Sequence, residues 1–149
     1  MKRLQASVFF FVILWSSLGF AAGSIEMIDG NVWVGPDASA APASLGQRIS
    51  SGTNINTGSK SRAVVRFEDG QVIVLHENST FRVAEYFFSK QEPARDKFQF
   101  ELTRGTLRSV TVAMTRRSPR AFSLSTPTQT IGIIGADFVV STINPVYVH

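Results

Sequence analysis

The stretch SRAVVRFEDGQVIVLHENSTFRV, residues 61–83 of this 149-residue chain, decides the fold class. Residues 62–67 alternate, with Ala63, Val65 and Phe67 on one face of an extended strand and Arg62, Val64 and Arg66 on the other. Asp69 and Gly70 then form a pair that favours a tight turn with positive φ. The return strand, residues 71–76, is almost continuously apolar, as expected for a strand covered on both faces. The stretch therefore predicts an antiparallel hairpin. Its first apolar face consists of Ala63, Val65 and Phe67.

Beyond residue 23, the rest of the chain shows a similar pattern, in which short β-branched or aromatic runs are separated by turn residues. No segment of ten or more residues combines helical periodicity with caps, so we expect an all-β domain of about ten short strands. Such spacing suits a sandwich, a barrel or a β-roll. The predicted strands are residues 24–28, 31–34, 53–57, 62–67, 71–76, 80–88, 97–102, 106–113, 120–125, 128–134 and 137–143. Asp29-Gly30 predicts a hairpin between the first two, and Arg104-Gly105 a turn into the return strand 106–113.

Residues 1–21 have the three parts of a secretory signal peptide, which would form a helix ahead of the domain. Lys2 and Arg3 form the charged start, an apolar stretch follows, and small residues end the segment. Cleavage after Ala21 puts small side chains at the last and third-last leader positions, Ala21 and Gly19. An uncleaved membrane anchor is the alternative, but polar residues dilute the stretch. We predict that residues 22–149 form one periplasmic or secreted domain with no stable membrane anchor after cleavage.

Candidate catalytic and metal-binding groups are few. The chain has two histidines, His76 and His149, and no cysteine, which excludes a thiol nucleophile and a thiolate metal site. Glu68 and Asp69 are adjacent, so on a strand they would point to opposite faces, and the Asp-Gly turn already accounts for Asp69. We therefore predict no catalytic residue, no metal site and no cofactor, and hence no enzyme.

Positive charge is concentrated in one segment. Without the two leader cations the chain has 13 basic and 11 acidic residues, a net charge of +2, yet residues 102–136 contain no acidic residue at all. Arginine forks in this segment suit carboxylate or phosphate groups, so we predict an anionic ligand or an acidic envelope partner there. A solvated basic loop is the alternative. Nucleic acid is not an expected partner of an exported protein. The candidate binding residues are Arg108, Arg116, Arg117 and Arg120.

The order of motifs along the chain resembles the FecR domain, the periplasmic part of the iron-dicitrate transport regulator, over roughly residues 30–140. The matching segments are GNVWVG (30–35), LGQRISSGTNINTG (45–58), residues 61–83, FQFELTRGTLRSV (98–110) and FSLSTPTQTIGIIGADFVV (122–140). The resemblance implies a β-roll or sandwich-like FecR domain. Two positions depart from the family pattern: Ile134 stands where the family has Arg, and Ala136 where it has Thr. Family members also continue past the last motif, so the end at residue 149 is either natural or shortened.

The resemblance implies a non-enzymatic periplasmic domain that binds a ligand or an envelope partner in sensing or signalling. The alternative is a structural or assembly protein of the cell envelope that acts through strand-edge pairing.

If the basic segment binds, replacing Arg116 and Arg117 together by Glu should weaken saturable binding to envelope partners by about tenfold or more, because two favourable charges become repulsive. Binding isotherms of the parent and of the double variant against the same partners test this. A variant that binds every partner as tightly as the parent would show that the assignment is wrong.

Overall fold

The computed structural model describes residues 20–36, 39–111, 118–132 and 137–142. Within these ranges the chain forms thirteen strands and two 3-10 turns, Pro93–Arg95 and Pro119–Ala121. In chain order the strands are β1 (Gly23–Asp29), β2 (Val32–Val34), β3 (Ala41–Pro42), β4 (Arg48–Ile49), β5 (Asn54–Thr57), β6 (Arg62–Phe67), β7 (Val72–Leu75), β8 (Thr80–Phe87), β9 (Lys97–Arg104), β10 (Thr106–Val110), β11 (Phe122–Ser125), β12 (Thr130–Ile131) and β13 (Asp137–Ser141). Residues 1–19 of the predicted leader, and the two departures from the family pattern at residues 134 and 136, lie outside the described residues.

The strands form two sheets. One has six strands in the order β13-β10-β7-β6-β1-β4, and the other has seven in the order β12-β11-β9-β8-β5-β2-β3. Neighbouring strands in these two sheets run antiparallel, except β9 and β11, which run parallel. The chain changes sheet after every one or two strands, so consecutive elements wind around a shared interior. The predicted all-β, sandwich-like class is confirmed.

The hairpin that the sequence singled out is confirmed. β6 and β7 pair antiparallel, and Gly70 between them has φ +87°. Every second residue of β6 is buried, as its alternation predicts. β7 differs from the prediction, because Val72 and Val74 are only half-buried on the outer side of the sheet.

Two other glycine turns do not close hairpins, contrary to the sequence prediction. β1 lies in the six-stranded sheet and β2 in the seven-stranded sheet, so the chain crosses between sheets at Gly30. It crosses again at Gly105, between β9 and β10. Both glycines have the expected positive φ, +76° and +94°. A tight turn depends only on local residues, whereas a hairpin requires the two strands beside the turn to lie in the same sheet. Here the two strands at each glycine lie in different sheets, on opposite sides of the core.

The core lies between the sheets and is rich in aromatic rings. Phe67 of the six-stranded sheet meets Phe100 of the seven-stranded sheet edge-on, with ring centroids 5.0 Å apart. Phe100 also contacts Phe81 and Phe122, each at 5.6 Å. Phe122 in turn reaches Phe138 of β13 at 5.9 Å. Burying an aromatic side chain of this size contributes about 1.5–3 kcal/mol, so this chain of rings is a main connection between the two layers.

The Gly105 corner is closed by Ser79. Thr106 N donates to Ser79 Oγ at 3.0 Å, and Ser79 Oγ donates to Thr106 O at 3.1 Å. A Cβ on Gly105 would lie 2.2 Å from Ser79 Oγ and 2.5 Å from Ser79 Cα. No side chain fits there without moving β8.

We expect Gly105→Ala to lower the free energy of unfolding by at least about 3 kcal/mol, through positive-φ strain and the clash together. Gly52→Ala is the matched control, since Gly52 has φ +87° but nothing within 4 Å of its Cβ position. It should cost about 1 kcal/mol. Urea unfolding measures both, and equal losses would mean that the Ser79 contact contributes nothing.

Candidate functional site

The structure describes two of the four candidate arginines, one in a strand of the six-stranded sheet and one in a 3-10 turn next to the other sheet. Arg108 lies in the middle of β10, on the outer side of the six-stranded sheet. Arg120 lies in the second 3-10 turn, which leads into β11 of the other sheet. Arg116 and Arg117 lie outside the described residues. A single arginine cluster is therefore not seen in the described part of the chain, and the binding role of these residues stays a prediction.

Arg108 has a carboxylate partner that its own segment lacks. Its Nε donates to Asp137 Oδ1 at 2.9 Å, and its Nη2 donates to Asp137 Oδ2. The hydrogen bond and charge of Asp137 raise the pKa of Arg108, and the hydrogen bond from Arg108 lowers the pKa of Asp137. Asp137 is the first residue after the acid-free segment, and it reaches Arg108 only because β13 pairs with β10. The pair leaves Arg108 less able to hold an anionic ligand.

Arg120 lines a cleft of about 520 Å³ between the two 3-10 turns. The buried carboxylate of Asp96 is in the same wall, where it accepts hydrogen bonds from Ser118 Oγ at 2.9 Å and from Ser89 N at 3.0 Å. A carboxylate in the wall works against an anion. The cleft therefore has two charges of opposite sign and does not favour the predicted anionic ligand.

The outer side of the six-stranded sheet carries an apolar surface, which we call the valine face. It spans four neighbouring strands. Its residues alternate with buried residues along β6, β7 and β10, and with the partly buried Phe138 and Val140 along β13. Four of its members are half-buried, while Val139 on the edge strand β13 is 61% exposed. The valine face consists of Val64, Val72, Val74, Val110 and Val139.

The strand register places these valines in two adjacent rows. One row runs Val64, Val74, Arg108, Val139 across β6, β7, β10 and β13, because those residues are paired in that order. The next row contains Val72 and Val110. The Arg108–Asp137 ion pair crosses from one row to the other, so it lies among the valines. The Arg66–Glu26 pair and the exposed Arg62 flank the same face.

A buried polar network lies near the β6–β7 turn. Asp69, 2% exposed, accepts a hydrogen bond at Oδ1 from the hydroxyl of Tyr86 at 2.8 Å, and its own N–H donates to that hydroxyl at 3.0 Å. Burial raises the pKa of Tyr86 far above its usual value, and the Asp69 carboxylate adds to the shift. Next to it, Gln71 Nε2 donates to Ser109 Oγ at 2.7 Å inside the core. Asp69 does belong to the Asp-Gly turn, as the sequence predicts, but it also bonds to Tyr86. No local pattern in the sequence indicates that second contact.

The network lacks the access that catalysis needs, since Asp69, Gln71 and Ser109 are all closed off from solvent. His76 lies just past the end of β7 and is exposed. Within the described ranges, no group of three or more His, Cys, Asp or Glu residues is placed to hold a metal ion. The same ranges contain no helix that is long and apolar enough to cross a membrane.

Fold and surface together define a two-sheet, all-β domain with an apolar outer face. The FecR protein family model matches residues 53–147, more than half of the chain, and the chain belongs to that family. The match covers β5 to β13 and leaves out the first of the predicted motifs, at residues 30–35. The FecR domain is a regulatory, signalling domain of the periplasmic type, and it is not known as an enzyme.

A solved structure titled "Cell surface anchoring domain" is 30% identical to this chain, covering 42% of it and 83% of that chain with a TM-score of 0.38. An overlap this low does not establish a shared overall fold. No curated protein matches the chain significantly.

Tyr86→Phe should remove both the hydroxyl bonds to Asp69 and the pH dependence that they create. Because the pKa of Tyr86 is raised in the folded protein, its stabilisation is present in full below its ordinary pKa of about 10 and is lost as the pH rises above it. Between pH 9 and pH 11 the parent should lose about 1 kcal/mol more unfolding free energy than Tyr86→Phe in urea titrations. At pH 9 the variant itself should be about 1–3 kcal/mol less stable. Identical pH profiles would contradict the burial of this hydroxyl.

Proposed function

We propose that this FecR-family domain works in the cell envelope by binding another protein through the valine face, and that this association serves sensing or signalling. No catalytic step is part of the proposal. The observation that carries it is the apolar stripe on the outer side of the six-stranded sheet, in which Val139 is 61% exposed.

An outer sheet face of a water-facing domain normally alternates polar with buried residues. The strands β6, β7, β10 and β13 instead have apolar residues on both sides. The outward valines of β6, β7 and β10 are neighbours, and Arg108 stands between Val74 and Val139 in the row that reaches β13. Contiguous apolar surface with a polar rim is typical of protein–protein interfaces. A partner would complete the burial that the half-buried valines lack.

The charges around the valine face suit a protein partner better than a small anion. Arg108 is paired with Asp137 among the valines, and Arg66 is paired with Glu26 beside them, so both signs of charge are present. The aliphatic parts of the arginine side chains extend the apolar surface. The fitting partner therefore has an apolar centre and a rim of mixed charge. An anionic ligand at Arg116, Arg117 and Arg120 is a separate prediction, which the double arginine variant tests.

A second candidate function, assembly through strand-edge pairing, is favoured by the position of β13. This five-residue strand ends the six-stranded sheet, and no described strand pairs with its outer side. Such an edge is a template for another strand. Two copies joined there would form a continuous sheet and would extend the valine face across both.

Site-specific photo-cross-linking in intact cells tests these functions. A cross-linker replaces Arg62, which is exposed beside the valine face, in three backgrounds: the parent, Val139→Lys, and Leu45→Lys. Leu45→Lys is the matched control, since Leu45 is another exposed apolar residue, at 68% exposure. We expect an adduct with a different protein in the parent and control, reduced about tenfold by Val139→Lys, which places a charge in the interface.

An adduct of twice the protein's own mass, also lost in Val139→Lys, would instead support edge-mediated assembly. Equal adducts in the three backgrounds, or none, would contradict a role of the valine face in binding.

A further inference from the structure

We propose that Ala22 is the first residue of the folded domain, and that the α-ammonium created there by leader removal is a structural group, held by the Ile49 carbonyl and the Glu68 carboxylate. The step is a hydrolysis by a peptidase of the signal-peptide class. Water adds across the Ala21–Ala22 peptide bond, so Ala21 gains a carboxylate and Ala22 gains an amine, which takes up a proton. The proposal is independent of the valine face.

The described core begins at Ala22. Its side chain is 1% exposed and belongs to the hydrophobic cluster, although Ala22 lies one residue before β1. Its N–H donates to Ile49 O at 2.7 Å, and its carbonyl accepts from Glu68 N at 2.9 Å. Ala22 is thus bonded to Ile49 in β4 and to Glu68, the residue that follows β6, and these two strands flank β1.

The residue after Ala22 is equally constrained. Gly23 pairs with Ile49 of β4 on one side and with Phe67 of β6 on the other. A Cβ on Gly23 would lie 2.3 Å from Arg66 O. A cut after Ala22 would remove a core side chain and the bond to Ile49, and it would leave this tightly enclosed glycine as the chain start.

The residues on the other side of the bond have no such support. Phe20 is 92% exposed, which is unfavourable for a phenyl ring in a water-facing domain, and Ala21 is half-buried. Both line a cleft of about 600 Å³ that has three consecutive aromatic residues in its wall. The aromatic residues are Tyr86, Phe87 and Phe88. A cut after Ala21 removes the exposed ring and opens this cleft.

Glu68 supplies the negative charge at the new terminus. Its backbone N–H is bonded to Ala22, and its side chain lines the same cleft as Ala21. The Glu68 carboxylate is 3.5 Å from Arg48 Nη2, in a pair whose side chains are largely exposed. A new ammonium has three donors, one of which keeps the bond to Ile49 O, so two remain for the cleft. A charge-assisted bond from one of them to Glu68 would be stronger than a bond between neutral groups.

The site of cleavage is tested on the full chain, expressed with its leader and exported in a bacterium. N-terminal sequencing of the purified protein should read Ala-Gly-Ser-Ile-Glu, beginning at Ala22. A first residue of Gly23, or a retained leader, would overturn the proposal.

The ammonium contact is tested by competitive acetylation of the same purified protein with trace acetic anhydride, with Lys60 as the internal reference. Glu68→Gln should make the Ala22 amine react about two- to fivefold faster than in the parent, because a carboxylate holds the amine in its unreactive charged form. Glu85→Gln, which removes another exposed carboxylate paired with a cation, Lys97, is the control and should react at the parent rate.

Arg48→Gln provides a variant with the opposite expectation. It releases Glu68 from its competing partner, so the Ala22 amine should react more slowly than in the parent. Equal rates in Glu68→Gln, Arg48→Gln and the parent would overturn the role of Glu68.

Discussion

The contact between Phe67 and Phe100 is the interaction on which the rest of the structure depends, because it joins the two sheets at the centre of the core. Each sheet alone would expose a row of aromatic or branched side chains. Packing the rows face to face buries them, and the chain of rings continues through Phe122 to Phe138 on the edge strand. The chain crosses between the sheets after every one or two strands, because strands of both sheets are needed to cover the same aromatic core.

The residues that each strand buries in the core also determine which residues lie on its outer face. Once Ala63, Val65 and Phe67 point inward, Val64 must point outward, and the same logic applies to β7, β10 and β13. The valine face is thus the reverse side of the core. A FecR-family domain with such a surface has a physical basis for associating with a partner, which fits a family that works in envelope signalling.

Local sequence patterns were sufficient for much of the fold. Alternation in residues 62–67, the Asp69-Gly70 turn and the strand with Phe98, Phe100 and Leu102 all have their signal within a few residues, and the structure bears them out. The prediction of hairpins at Gly30 and Gly105 was wrong. A glycine with positive φ indicates a sharp turn, but it does not indicate in which sheet the next strand lies. For the candidate site, the pairing of Arg108 with Asp137 came only from the structure, and the binding role of the four arginines stays a prediction.

By itself, then, the sequence determined the all-β class, most strand positions, the family and the scarcity of catalytic groups, since each depends on residue type, period or order along the chain. Only the tertiary structure decided which strands are neighbours, that Asp137 pairs with Arg108 and Tyr86 with Asp69, and that Ala22 is part of the core. These contacts join residues 17 positions apart for Tyr86 and Asp69, 27 for Ala22 and Ile49, and 29 for Arg108 and Asp137. Such separations leave no periodic trace in a single sequence, because the partners are brought together by the packing of two sheets and not by local backbone preference.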